Sequence, residues 1–190
     1  MPRLILASQS PRRRELLEQI GLTFDVLPAD INESVQAGES AVDFVARMAR
    51  EKAEAVARQQ PDALVLGSDT AVVVDEHILG KPADEADARR MLGLLSGREH
   101  TVLSAVALLG AGQPPCCRVQ ASRVRFRTIS GEEMARYWAS GEPRDKAGAY
   151  AIQGLGAVFV EHLSGSYSGV MGLPLFETAR LLEEAGISSL

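Results

Sequence analysis

Residues Leu64 to Pro82 read Leu-Val-Leu-Gly-Ser-Asp-Thr-Ala-Val-Val-Val-Asp-Glu-His-Ile-Leu-Gly-Lys-Pro. An apolar run, Leu64 to Leu66, meets Gly67, Ser68, Asp69 and Thr70, and a second run, Ala71 to Val74, follows at once. Polar groups set between β-branched runs are costly to bury without partners. Two readings are open: a turn between two strands, with the polar residues at its crest, or a place where a sheet opens into a cleft. Gly80-Lys81-Pro82 places a fixed cation beyond the second run, so that Asp69 and Lys81 could face one polyanionic ligand from opposite ends of a hairpin.

Working outward, the chain alternates between strand-like and helix-like stretches. Arg3 to Ala7 reads as a short buried strand. Ser10 suits an N-cap and Pro11 the first helical position, so a helix starts here, with Leu16, Leu17 and Ile20 as its apolar stripe and Gly21 as its stop. A helix N-terminus carrying Arg12 and Arg13 after a polar loop combines free N–H groups with guanidinium forks, which suits an anion. Against this, arginines in a first turn oppose the helix dipole and could simply be solvated. Phe24 to Leu27 reads as a strand. Ser40 then caps a helix whose apolar positions are Val42, Val45, Met48, Ala49, Ala53 and Val56, a 3.6-residue period. Lys52 lies on or beside that face, where a lysine is most often a stem reaching for water.

Beyond Pro82, Asp84 and Glu85 open a helix with Ala88, Met91, Leu92 and Leu95 inward. His100 to Leu109 and Val119 to Thr128 read as strands, joined by a turn-rich loop from Gly110 to Pro115. Ser130 and Glu133 form a capping box, and Gly141 ends the helix they open. Asp145 to Gly154 is rich in small residues, which lets backbone approach a ligand. A strand over Ala157 to Val160 and a final helix through Leu175, Ala179 and Leu182 complete the chain. The alternation predicts a mixed α/β sheet flanked by helices, in a single domain over residues 1–190.

Composition narrows the function. The chain has 190 residues, 46% hydrophobic and 24% charged, with a net charge of -5. That balance argues against a nucleic-acid polymer as partner. Only two cysteines occur, adjacent at Cys116 and Cys117, so no disulfide framework is expected, and three scattered histidines give no zinc spacing. No apolar run reaches membrane-spanning length and the N-terminus does not read as a signal peptide, so a cytoplasmic location is the default expectation. Gly80-Lys81 lacks the upstream glycine of a P-loop, no dinucleotide-binding glycine motif occurs, and Gly165 to Gly169 has Tyr167 where a nucleophile elbow needs serine. What remains is an inventory for phosphate chemistry: cations at Arg12, Arg13, Lys52, Lys81 and Lys146, carboxylates at Glu33 and Asp69. Hard oxygen donors suit Mg²⁺ or Mn²⁺.

Taken in order, Ala7 to Arg13 (Ala-Ser-Gln-Ser-Pro-Arg-Arg), Gly67 to Thr70, Leu79 to Pro82, Leu95 to Gly97, Asp145 to Gly154 and Gly165 to Pro174 resemble the Maf family along essentially the whole chain. The resemblance implies a nucleoside triphosphate pyrophosphatase with an elongated mixed twisted sheet and two lobes around a cleft, related to the inosine triphosphate pyrophosphatases. It implies that Asp69 activates water, that Arg12, Thr70 and Gln153 select the base, and that Ser8, Arg13, Glu33, Lys52 and Lys81 handle phosphate and metal, with Lys146 in the same motif. Asp69 and Glu33 are the implied metal-handling carboxylates. Arg, Thr and Gln together resemble the branch acting on dTTP and UTP rather than the one preferring 7-methyl-GTP. An amide such as Gln153 can offer donor and acceptor to a pyrimidine edge. Val35 stands where many members have proline. A homodimer is a further implication. A non-catalytic regulator of cell division and a nucleotidyl transferase are the competing classes, and Asp69 separates the first from an enzyme, because pure binding gains nothing from an acid beside phosphates.

Overall fold

The structure, a computed structural model, describes residues 3–189. Its centre is a seven-stranded mixed sheet in the order β2-β1-β3-β5-β6-β7, with β4 on the free side of β3. The strands are β1 (Leu4–Leu6), β2 (Asp25–Val26), β3 (Leu64–Val74), β4 (His77–Leu79), β5 (Glu99–Gly110), β6 (Gln113–Phe126) and β7 (Val160–Ser164). β1 runs parallel to β2 and to the first residues of β3, while β4, β5, β6 and β7 pair antiparallel. Among the described residues six α-helices surround the sheet: α1 (Pro11–Gln19), α2 (Ala41–Ala57), α3 (Glu85–Leu95), α4 (Gly131–Ala139), α5 (Tyr167–Met171) and α6 (Leu175–Glu184).

Leu64 to Val74 is one continuous strand, not two strands joined by a turn at Ser68 to Thr70. The turn lies later, at Asp75 and Glu76, which both take positive φ before β4 begins. Period-two alternation explains how the polar triplet stays in the strand. Leu64 and Leu66 face α1 and α6, whose Leu16, Leu17, Leu181 and Leu182 pack with them. Val72 and Val74 face the same way but join a separate core with Met91, Leu92 and Leu95 of α3 and Met134 of α4. Ser68 and Thr70 lie between these two apolar clusters. On the opposite face α2 covers the sheet with Val45, Met48, Ala49 and Ala53, against Val65, Ala71, Leu103 and Ala105.

Pairing along β3 is interrupted on one side. β1 pairs with Leu64, Val65 and Leu66, β4 pairs with Val72, Val73 and Val74, and from Gly67 to Ala71 only β5 is alongside. The sheet therefore carries an internal gap five residues long, with the polar triplet at its middle.

Local expectations hold at most capped ends. Ser10 accepts from Arg13 N, Ser40 from Asp43 N, and the Ser130–Glu133 capping box is complete. Four details differ. Val42 is exposed and Phe44 takes the buried place on α2. The strand expected over Phe24 to Leu27 is only Asp25–Val26. The loop expected over Gly110 to Pro115 shortens to a tight turn at Ala111 and Gly112, because both adopt positive φ and let β6 begin at Gln113. Ala157 to Phe159 belong to a 3-10 turn over Leu155–Phe159, and the strand follows it. No helix among the described residues is long and apolar enough to cross a membrane.

Candidate active site

The gap in the sheet opens into a cleft of about 890 Å³. Its walls are the start of α1, the loop from Ala29 to Val35, the end of β4 with Gly80 and Lys81, the segment Asp145 to Gln153, and Val170 to Gly172. Ser8, Arg12, Arg13, Glu33, Lys52, Asp69, Thr70, Lys81, Lys146 and Gln153 all line it. Residues scattered from position 8 to position 153 thus meet in one cavity.

Asp69 is placed by strand alternation on the α2 face of β3. There the Lys52 Nζ donates to its Oδ1 at 2.7 Å, and about a tenth of either side chain remains exposed. The expected stem reaching for water is instead a buried ion pair. Glu33 Oε2 lies 3.2 Å from the same Nζ, so two carboxylates converge on one cation. The loop carrying Glu33 is tied to α2: Arg47 donates to Ser34 O at 3.0 Å and to both carboxylate oxygens of Glu39. That pairing holds the Glu39 carboxyl down at about 2. Val35, at the position of the missing proline, is exposed and lines the cleft mouth.

On the other face the side chains form a hydroxyl seam. Thr70 Oγ1 lies 2.8 Å from Ser104 Oγ, its cross-strand partner on β5. Both Ser68 Oγ and Thr70 Oγ1 donate to Gly172 O, at 3.1 and 3.3 Å. Arg13 Nε donates to that same carbonyl at 2.8 Å, and its Nη1 to Ser8 Oγ at 3.2 Å. Arg12 Nε donates to Met171 O at 3.2 Å. The two arginines that oppose the dipole of α1 are therefore compensated by carbonyls at the C-terminal end of α5, where cations are favoured. Burial lowers the Arg13 pKa, the charge of Asp69 raises it, Arg12 lowers it and Glu33 raises it. Those four charges share one field.

The segment Asp145 to Gly154 reaches the site by close backbone approach. Gly148 takes φ +68, donates from its N–H to Gly80 O at 3.1 Å, and would bring a Cβ to 2.9 Å from the Val72 side chain. Lys146 pairs with its neighbour Asp145, so its charge is already balanced before a ligand arrives. Lys81 is exposed in the cleft at the end of β4, and Gln153 is exposed at the tip of its turn.

The profile of the Maf family, described as Maf-like protein, matches residues 3–185. The chain belongs to this family. Its curated relatives include the dTTP/UTP pyrophosphatase of Hahella chejuensis, 56% identical over 190 residues that cover 97% of this chain and 93% of that one. A second, the dTTP/UTP pyrophosphatase of Ralstonia nicotianae, is 53% identical over 198 residues, covering 98% and 96%. Among solved structures, the Staphylococcus aureus Ham1 protein is a looser likeness: 16% identity, TM-score 0.49, covering 65% of this chain and 71% of that one.

Two parts of this Maf-like site escaped sequence reading. The Gly172 carbonyl is main chain and has no residue signature. Ser104 did carry a signal, a hydroxyl inside the apolar run Val102 to Leu109, but its role needs the register that sets it opposite Thr70.

Proposed function

We infer that this chain hydrolyses dTTP and UTP to the nucleoside monophosphate and pyrophosphate. The observation that carries the reading is the buried Lys52–Asp69 pair at the gap in β3, facing the arginine-bearing start of α1 across one cleft. The names of its relatives at 53–56% identity point to the same reaction. In it, water attacks the α-phosphorus, the bond from that phosphorus to the α,β-bridging oxygen breaks, and pyrophosphate leaves with the electron pair. Asp69 Oδ accepts the proton of the attacking water, and Lys52 holds the carboxylate in place for that transfer. Arg13 and Lys81 balance the charge of the triphosphate. Arg12, Thr70 and Gln153 read the base.

The donor set fits a divalent cation. Asp69 and Glu33 already converge on the Lys52 ammonium, and no third His, Cys, Asp or Glu joins them into a metal-binding group among the described residues. A pair of carboxylates completed by phosphate oxygens and water is the usual arrangement for Mg²⁺, which would be held by Asp69 and Glu33. When bound, such an ion neutralises phosphate charge and lowers the pKa of coordinated water.

The test is release of pyrophosphate by purified protein with Mg²⁺ across a panel of nucleoside triphosphates. dTTP and UTP are expected to be turned over best. A preference for 7-methyl-GTP would overturn the assignment of Arg12, Thr70 and Gln153 to pyrimidine selection, and no turnover of any nucleotide would sink the enzymatic reading.

A further inference from the structure

Gln153 sits on a turn with no helix or strand ladder of its own, and the structure shows what holds that turn. Tyr137, on α4, donates its hydroxyl to Glu142 Oε1 at 2.6 Å and accepts Ala151 N at 3.0 Å. Glu142 Oε2 accepts Leu155 N at 2.8 Å, and its Oε1 accepts Gly156 N at 3.0 Å. Three main-chain N–H groups, one before Gln153 and two after it, thus end on one phenol–carboxylate pair. Two glycines make the approach possible. A Cβ at Gly154 would stand 2.2 Å from Glu142 Oε2, and one at Gly156 would stand 2.6 Å from the Tyr137 hydroxyl oxygen. The Tyr137 ring is itself fixed, edge-on to Phe159 with centroids 5.1 Å apart. Neither Tyr137 nor Glu142 is among the residues lining the cleft.

Charge reinforces the grip. Burial raises the Glu142 carboxyl, but hydrogen bonds from Tyr137, Leu155 and Gly156, with the Lys146 charge, outweigh it and hold the group below the usual carboxylate range. An ionised carboxylate has no proton to donate, so all its capacity goes to accepting these N–H and O–H groups. Charge-assisted bonds of this kind are about twice as strong as neutral ones.

We propose that Tyr137 and Glu142 form a positioning unit that fixes the Gln153 turn and thereby sets base preference. This rests on the reading of Gln153 as a base-selecting residue. An amide discriminates pyrimidine edges only if its donor and acceptor are held at fixed angles, and a loosened turn lets either end of the amide meet either edge. The unit acts on the affinity for the correct base, not on the proton transfer at Asp69.

The experiment compares Tyr137→Phe, Glu142→Gln, Gln153→Ala and the double variant Tyr137→Phe/Gln153→Ala, with dTTP, UTP and 7-methyl-GTP as substrates. Tyr137→Phe keeps the ring and removes only the hydroxyl. It removes the bond to Glu142 and the one from Ala151 N, and is expected to lower kcat/KM for dTTP by about tenfold or more, through KM and with kcat nearly unchanged. The preference for dTTP over 7-methyl-GTP should fall with it. Glu142→Gln removes the charge and turns one acceptor oxygen into an NH2 that cannot accept an N–H, and should give a shift of the same kind at least as large. If the pair acts through Gln153, the double variant will be no worse than Gln153→Ala alone. Amide hydrogen exchange at Ala151, Leu155 and Gly156 should quicken in Tyr137→Phe, independent of any assay of activity. Additive losses, an equal fall in kcat on every nucleotide with preference intact, or unchanged exchange would each overturn the proposal. If Gln153→Ala alters preference and Tyr137→Phe does not, only the positioning unit falls. If Gln153→Ala itself leaves preference unchanged, the base-selecting reading falls and takes the unit with it.

Discussion

The 2.7 Å contact between Lys52 and Asp69 removes two charges from water and leaves each dependent on the other. Such a pair adds little net stability, yet losing one partner strands the other, at a cost of about 3 kcal/mol. Lys52→Met should therefore lower the unfolding free energy by that amount, read as a fall in the urea midpoint at unchanged m-value, while Lys52→Met/Asp69→Asn recovers most of the loss. Asp69→Asn alone should reduce pyrophosphate release by about 10²–10⁴-fold, as expected when a general base is removed; retained activity would take Asp69 out of the mechanism. At this scale the sequence was informative about residue type and silent about partner. Asp69 stood out because an acid between two β-branched runs needs a reason to be there. Lys52 was counted among the phosphate cations, but its partner was not legible, because a lysine on a helix flank looks the same whether its head meets water or a carboxylate seventeen positions later. The arginines of α1 were visibly misplaced for a helix start, but the carbonyls that compensate them lie 159 residues further along the chain.

Among the elements, the close approach of α2 to β3 sets where Lys52 can reach. Gly67 is the contact point: an added Cβ would stand 2.1 Å from Ala49 O and 2.8 Å from Ala53 N, both main-chain atoms of α2 that cannot step aside. Gly67→Ala should shift the helix, cost about 1–3 kcal/mol as overpacked positions do, and depress turnover although no group at the site is altered. Circular dichroism with a urea titration would show the first effect and the pyrophosphate assay the second; a variant with wild-type values in both would mean that α2 moves freely. Helix starts were legible because serine caps and the Ser130–Glu133 box are local chemistry. The extent of β3 was not, since a polar triplet in an apolar run reads alike as a crest or as one stretch of a strand. Only the pairing of Ser68 to Thr70 with Val106 to Ser104 on β5 decides between them.

For the molecule as a whole, Ser68 and Thr70 lie between two apolar clusters on one face of the sheet, and the cluster holding Val72 and Val74 packs its Phe126 and Tyr150 against a titratable group. His100 is buried, its Nε2 lies 2.8 Å from the Tyr150 hydroxyl, and Phe126 packs against both rings. Burial lowers its pKa from 6.5 to about 4. In that window the unfolded chain binds a proton that the folded chain does not, so stability falls as pH drops from 6.5 towards 4. Between pH 7 and pH 5 the loss should be about 2 kcal/mol by this linkage, and His100→Gln should flatten it. Urea midpoints measured across that range would check the slope; a wild-type protein equally stable at both ends would contradict it. Since Tyr150 lines the cleft, acid should loosen one wall of the site before the fold gives way.

The internal gap in the sheet has a consequence for mutagenesis itself. Along β3, Leu64 N bonds to Arg3 O and Leu66 O accepts Ala7 N, so even-numbered residues turn their amides and carbonyls towards the side of β1 and β4. Thr70 falls in that set where neither strand is present, and it lines the cleft. Its main-chain donor and acceptor survive every amino-acid exchange at that position except proline. A conventional alanine scan is blind to whatever they hold, and an amide-to-ester replacement in the backbone would be needed to weigh their share of nucleotide recognition.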